Sequence, residues 1–478
     1  MISYCKKNKK MIVVVLCFSI LIFLQKILVF NIGYDTDQYL ADISETRKTW
    51  LSSGRYMLAF VDFIIRKIGY NMHIFYLITA INVAISTILF LGFLNLLYKK
   101  DDFIRDILTA IILISSPIFL EQYYFSLQAI EVSFSIALMM LAYLQVYWWM
   151  VDGRRIYSAT VILTLSCCFG FYQSNVVLFI VGVLIILLAI NEEDTKKNIN
   201  YITKCFVIWI LSLCGYLIIK KIVLICLNIE KGEYLESQIT WLTGSVAESC
   251  FMIAKSIGRV VFGLGHILNL GYLVCIVLVI WKISKSGTII KWKNFYLAAL
   301  LIAPLLLNIV MASRLLIRSV LGVPFVCAFF FWYYYKENKK FFVLFMLIIL
   351  SQLINGQLLI YSDNVRYTND IKIAKKIYQD CNANKKSVIV FYGVERPENW
   401  GFSYKGQTFG HSFFEWSNGG PDADEIRIWY FMKLHGMKFE LPNEEEVEIG
   451  KTINFSKDFP EKGYIVKKKG CYYVNLGK

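Results

Sequence analysis

The sequence predicts an α-helical polytopic membrane protein of about 11 transmembrane helices, followed by a small C-terminal α/β domain. Three observations carry that reading. Of 478 residues, 57% are hydrophobic and only 18% charged, where a soluble chain is roughly half apolar and about a quarter charged. Apolar runs of roughly 18 residues or more recur from Met11 to Ile360, each long enough to cross about 30 Å of hydrocarbon. Beyond Tyr361 the composition turns to that of a soluble domain, with 18 Lys/Arg and 16 Asp/Glu. A soluble enzyme, a disordered chain and a secreted disulfide scaffold are excluded. The chain divides into a membrane module at 1–360 and an α/β domain at 361–478.

The first span falls at about 11–30. Lys6, Lys7, Lys9 and Lys10 precede it as in a signal peptide, but no small-residue cleavage site follows. It therefore reads as a transmembrane helix with the N-terminus in the cytoplasm. Ten more runs follow, at about 73–98, 104–120, 129–150, 156–170, 175–190, 204–229, 264–283, 295–313, 319–335 and 341–360. An odd number of spans puts the C-terminal domain on the extracytoplasmic side. Charge agrees: 19 Lys/Arg fall in the segments placed inside and 10 in those placed outside, as the positive-inside rule requires. Lys220 and Lys221, within one apolar run, are expected to snorkel to the outer interface. Most of the net charge of +15 sits in short loops of the membrane module, where basic side chains meet anionic lipid. It does not indicate nucleic acid.

Two outer segments are too long for simple turns. Residues 31–72 open on the acidic stretch GYDTDQYLADISE and continue into Tyr56–Ile68. There the apolar Met57, Leu58, Phe60, Val61, Ile64 and Ile65 accompany Asp62, Arg66 and Lys67, a mix that suits a helix lying in the headgroup plane. Residues 230–263 place Lys255 and Arg259 four apart on one helix face. In the tail, Asn364–Cys381 has helical spacing, Ser387–Tyr392 reads as a strand and Asp424–His435 as a helix. Tyr464–Val466 and Tyr472–Leu476 flank KKKG as a hairpin. Ten of the 12 cysteines precede Tyr361 and behave as small hydrophobes. The remaining pair, Cys381 and Cys471, is weak evidence for a disulfide.

Candidate chemistry gathers at the outer ends of the spans. Asp35 and Asp37, spaced i, i+2 just after the first span, suit a general base or hard ligands for a divalent cation; residue type alone favours solvated loop acids or an N-cap. Arg314 and Arg318 lie four apart between two apolar spans. Arginine there can grip a lipid phosphate bidentately or anchor the interface. Lys255 and Arg259 admit the same two roles. Glu121, Gln122, Gln128 and Glu131 cluster near hydrocarbon in PIFLEQYYFSLQAIEVSF, where polar groups are costly unless paired or facing a cavity. With Tyr123, Tyr124 and Phe125 they form either a saccharide-contacting rim or interfacial aromatics with polar partners. Tyr172 and Gln173 admit the same pair of readings. No Walker loop, G-x-S-x-G elbow or metal-spaced histidines occur in the sequence, His73, His266, His411 and His435 being scattered.

The joint order of GYDTDQYL (33–40), WLSSGRYM (50–57), SSPIFLEQYYFSLQ (115–128), FGFYQSN (169–175) and SRLLIRSVLGVP (313–324) resembles the GT-C superfamily of membrane glycosyltransferases. More closely, it resembles the Gtr-type-II glucosyltransferases that decorate bacterial surface polysaccharides. The resemblance covers roughly the first two-thirds of the chain. It implies a GT-C-like fold in the bacterial cytoplasmic membrane, a polyprenyl-phosphate-linked sugar as donor, and a surface or lipid-linked glycan as acceptor. Asp35 or Asp37 would be the base, and Arg314 and Arg318 would hold the donor phosphate, assisted by Lys255 and Arg259. Glu121, Gln122, Gln128, Glu131, Tyr172 and Gln173 would line the sugar and acceptor pocket. No cofactor is expected, and Mg2+ or Mn2+ is optional because arginines can supply the charge. A flippase, transporter or polymerase of lipid-linked surface polysaccharide is the alternative. Trp400, Phe413, Phe414, Trp416 and Trp429 are candidate stacking surfaces in the tail.

Overall fold

The computed structural model describes residues 2–33, 36–69, 71–99, 101–123, 126–190, 194–232, 237–262, 270–286, 292–312, 316–335, 339–395, 410–415 and 425–477. In chain order its α-helices are α1 (Ile2–Lys7), α2 (Lys9–Leu28), α3 (Thr36–Ala41), α4 (Ile43–Ser52), α5 (Tyr56–Ile68), α6 (Met72–Tyr98), α7 (Phe103–Ile114) and α8 (Pro117–Tyr123). Next come α9 (Ser126–Asp152), α10 (Arg155–Phe171), α11 (Asn175–Ile190), α12 (Thr195–Cys226), α13 (Thr240–Thr243), α14 (Val246–Phe262) and α15 (Leu270–Ser286). The series closes with α16 (Trp292–Ile302), α17 (Leu306–Met311), α18 (Gly322–Tyr334), α19 (Lys339–Asp380), α20 (Glu425–Leu434) and α21 (Glu444–Lys451). The strands are β1 (Ile389–Tyr392), β2 (Ile465–Lys468) and β3 (Cys471–Asn475).

The residues separate into two compact units. One comprises Met1–Leu28 and Arg47–Gly356, the other Val29–Thr46 and Gln357–Lys478. The acidic stretch after the first span thus folds with the C-terminal residues, more than 300 positions away.

In the first unit α9 packs against both α6 and α10, α2 lies on α6, and α10 lies on α12. Helix starts follow local chemistry: the Asn71 side chain accepts from His73 and Ile74 N–H at α6, and Asp102 accepts from Arg105 N–H at α7 (3.1 Å). Each satisfies orphan amides of a first turn. Between α7 and α8 the axis bends by 49°. The cause is Ser115-Ser116-Pro117: proline has no N–H to continue the ladder but is accommodated at the first position of a new helix. The Ser115 hydroxyl shares its hydrogen between the Ile111 carbonyl (2.7 Å) and Gln352 Oε1 (3.0 Å), which ties the end of α7 to α19.

Eleven full spans are not confirmed. Six helices among the described residues are long and apolar enough to cross a membrane, or seven if the bent pair α7–α8 counts as one. The runs predicted at 156–170, 175–190 and 319–335 are helices of 17, 16 and 13 residues, below the roughly 20 that hydrocarbon requires. That predicted at 264–283 lies partly outside the described residues and continues as α15. Apolar runs were the evidence for spans, and a run does not show where its helix ends.

The tail follows its sequence pattern closely. Parallel pairing of β1 with β3 and antiparallel pairing of β2 with β3 give the order β1-β3-β2. Lys469 and Gly470 join β2 to β3 with φ of 48° and 86°, the two positive values of a type I′ hairpin turn. Val390, Cys471 and Tyr473 form the sheet's buried core, with Val447, Ile449 and Phe455 against it. Cys381 and Cys471 are both free thiols. Phe413 and Phe414 are core residues rather than stacking surfaces, because Phe413 stacks on Phe431 at 4.4 Å. Trp400 and Trp416 lie outside the described residues.

Candidate active site

The predicted site residues fall in both units. In the second unit, Tyr34 and Asp35 lie outside the described residues, while Thr36 and Asp37 open α3 with 0% exposure. Asp37 is therefore enclosed by protein rather than solvated in a loop. The preceding strand of chain is anchored by Asn31, itself buried, whose amide donates to Asp363 Oδ2 at 3.0 Å and to Asn364 Oδ1. Helix α3 packs against α20, and α20 is supported through Phe413. The Phe413 N–H (3.0 Å) and the Ser412 hydroxyl both donate to the buried Asp370 carboxylate.

In the first unit, the bend after Ser116 buries all of α8, including Glu121 and Gln122. Helix α8 packs against the 3-10 turn Ile317–Ser319, so the glutamate and amide share a packing region with Arg318, which is partly buried. Arg314 lies outside the described residues. Gln128 and Glu131, one helical turn apart on α9, differ in burial: Glu131 is 1% exposed, Gln128 partly open. Lys255 is exposed, with its ammonium 5.7 Å from the Phe251 ring centre, whereas Arg259 is buried. The structure separates that pair into one outward and one inward cation.

Tyr172 and Gln173 brace the turn between α4 and α5. Gln173 Nε2 donates to the Ser53 carbonyl (2.9 Å), its Oε1 accepts from Arg55 Nε (3.3 Å), and Tyr216 Oη lies 3.5 Å from Nε2. The Arg55 guanidinium sits 5.4 Å over the Tyr172 ring, a cation–π distance. Between them Gly54 has φ of +87°, and a Cβ there would collide with Tyr216 Oη and press on Lys220 Cδ at 3.0 Å. Gly54→Ala is expected to destabilise the first unit by at least about 1–2 kcal/mol from the left-handed backbone alone. A lowered unfolding midpoint in detergent checks this; an unchanged midpoint would refute the tight turn.

Sequence reasoning missed an ionic cluster beside these residues. Asp62 on α5 accepts from Arg47 Nε (2.7 Å) and Arg66 Nε (3.2 Å), and Asp62 and Arg66 both lie within electrostatic range of Glu131. Helix α5 spans the predicted Tyr56–Ile68, with Leu58 and Asp62 buried while Phe60, Phe63 and Ile64 are exposed. Asp62 thus turns into the protein beside apolar neighbours, while Phe60, Phe63 and Ile64 stay exposed. The signal was present in Asp62 and Arg66 at i, i+4 within an apolar segment. A second cluster joins Arg105, Asp106, Asn95 and Trp332, with Asp106 accepting from Asn95 Nδ2 (2.7 Å) and Trp332 Nε1 (3.0 Å).

Among the described residues no three His, Cys, Asp or Glu side chains converge as metal ligands. In the second unit His435 Nε2 meets Tyr367 Oη at 3.1 Å and its ring packs on Phe431. Burial, and secondarily Lys375, hold the imidazole pKa below its ordinary 6.5. The folded state thus prefers neutral His435, while the unfolded chain gains a proton below pH 6.5. Its contribution is complete above 6.5 and declines on acidification. Amide exchange of α20 in the full chain is expected to quicken from pH 7 to 5 once the intrinsic pH dependence is removed, and this acceleration is expected to shrink in His435→Gln. Equal acceleration in both would exclude the imidazole as its source.

A family model for the glucosyl transferase GtrII matches residues 26–371. The chain belongs to that family. Among curated proteins none matches it. The GtrII match takes in Asp37, Glu121, Gln122, Glu131 and Arg318, and runs eleven residues past the predicted module boundary to include Asp363, Arg366 and Asp370. Membership in the GtrII family makes the chain a membrane glycosyltransferase.

Proposed function

We propose that this GtrII-family protein moves glucose from a polyprenyl-phosphate-linked donor to a cell-surface glycan on the outer face of the bacterial cytoplasmic membrane. The observation that carries the proposal is the burial of Glu121 and Gln122 on a half-helix that packs against the turn of Arg318. Polar groups at such depth are costly and mark ligand sites or internal pairs. A lipid-phosphate donor also matches the chemistry at hand. Its phosphate is already a leaving group, so the protein needs a base, charge neutralisation and a cavity at the membrane surface.

Asp35 or Asp37 takes the acceptor hydroxyl proton, and that oxygen forms the new bond to the anomeric carbon. The bond to the donor phosphate breaks with its electron pair leaving on phosphate, where Arg314 and Arg318 stabilise the charge. A single displacement inverts the anomeric centre. Glu121, Gln122, Gln128 and Glu131 bond sugar hydroxyls. Tyr172 and Gln173 act by holding the Ser53–Arg55 turn, since both ends of the Gln173 amide are engaged there. Arg259 assists from within the protein. Mg2+ or Mn2+ is optional in this scheme. The N-terminus is cytoplasmic and the C-terminal unit extracytoplasmic.

The test is glucose transfer by the full chain in membranes, from synthetic polyprenyl-phosphate glucose, with and without chelator. Transfer supports the proposal, and chelator sensitivity decides the metal. Failure with this donor while lipid-linked glycan moves across the membrane would establish the flippase instead.

A further inference from the structure

The segment that carries the two acidic residues is not a free loop, and the device that holds it comes from the other end of the chain. Asn31, 332 positions before Asp363, donates its amide to that carboxylate at 3.0 Å and to Asn364 Oδ1. Both Asn31 and Asp363 are buried, as are the neighbouring Ile32, Thr36, Asp37 and Tyr39. Asp363 projects from α19 one turn before Tyr367, whose ring meets Phe30 edge-on at 6.3 Å. Helix α3 is held by α20, whose Phe431 also packs against Tyr367 at 5.9 Å. The segment is clasped at Phe30 and Asn31 by α19 and along α3 by α20.

We propose that Asn31 and Asp363 are positioning residues for sugar transfer, a clasp by which the C-terminal unit fixes the acidic segment in the geometry that the reaction needs. The proposal rests on the assignment of the base to Asp35 or Asp37. A carboxylate on a tethered segment works as a base only when held within hydrogen-bond reach of the acceptor hydroxyl, and a displacement of about 1 Å costs on the order of 100-fold in rate. A buried amide–carboxylate bond supplies that restraint, because the paired groups lose more by separating than they regain from water.

The bond has a donor on one side and an acceptor on the other, so its polarity can be reversed. Asn31→Asp alone sets two buried carboxylates against each other. The double variant Asn31→Asp/Asp363→Asn restores one donor and one acceptor. With the full chain in membranes, kcat for Asn31→Asp is expected to fall about 100-fold with the donor KM little changed, and amide exchange of residues 29–46 to accelerate. The double variant should recover both. Loss of kcat and KM together, with raised exchange throughout the second unit, would mean a merely structural bond and overturn the proposal. So would wild-type exchange and turnover in Asn31→Asp, or a double variant with protected amides and no recovery of kcat. Absence of transfer by the wild type would instead remove the assignment of the base. Exchange in the same variants would still show whether Asn31 and Asp363 clasp the segment.

Discussion

Glucose transfer is expected to fall by about 10²–10⁴-fold in one of the two variants Asp35→Asn and Asp37→Asn, the loss characteristic of removing a general base. Asparagine keeps the shape and a hydrogen-bonding oxygen but cannot accept the acceptor's proton at neutral pH, so basicity alone changes. Asp37 lies in the first turn of α3, fully enclosed, on a helix that packs on α20. A folded Asp37→Asn protein with normal exchange in residues 29–46 and no transfer would assign the base to it. The same result in Asp35→Asn would leave Asp37 as the residue that orients its neighbour. Full activity in both variants would remove the acidic segment from the chemistry and shift the base to Glu121 or Glu131, two of the buried carboxylates of the first unit.

The largest effect on stability is expected from Asp62→Ala. This carboxylate receives Arg47 on one oxygen and Arg66 on the other, and its own side chain is 4% exposed. Removing it leaves two guanidinium groups facing each other where water is scarce, and losing one partner of a buried ion pair costs about 3–5 kcal/mol. Against a typical total of roughly 5–15 kcal/mol, that is enough to depress folding markedly. Arg47→Ala should cost less, since Arg47 is 24% exposed and its loss leaves Asp62 still paired with Arg66. Unfolding midpoints in detergent for the two variants check the order. Equal midpoints for wild type and Asp62→Ala would show that the cluster contributes nothing to the fold.

These residues also mark where sequence and structure part. The membrane helices were legible because apolar runs and cap residues act locally: Asn71 and Asp102 start their helices by bonding amides two or three positions on. The β2–β3 hairpin was legible for the same reason, since Lys469 and Gly470 supply its turn without outside help. Span count was less so. Whether an apolar run makes a straight span, a bent pair such as α7–α8 or a helix of 13 residues depends on the packing that surrounds it. Glu121, Gln122 and Glu131 could be singled out as polar groups near hydrocarbon, but their burial could not.

By itself, then, the sequence determined that this is a helical membrane protein with a small α/β tail, and the order of its motifs led to the GtrII family. Periodicity, apolar length and turn chemistry are local properties, written in neighbouring residues. Tertiary structure alone decided that the acidic segment folds with the tail through Asn31 and Asp363. It alone turned Asp62 of α5 inward onto Arg47, and gave Gln173 to the Ser53–Arg55 turn. Each of those pairings joins residues distant in the chain or chooses one of two helix faces. Such choices are set by the collective burial of many side chains, which no short window of sequence contains.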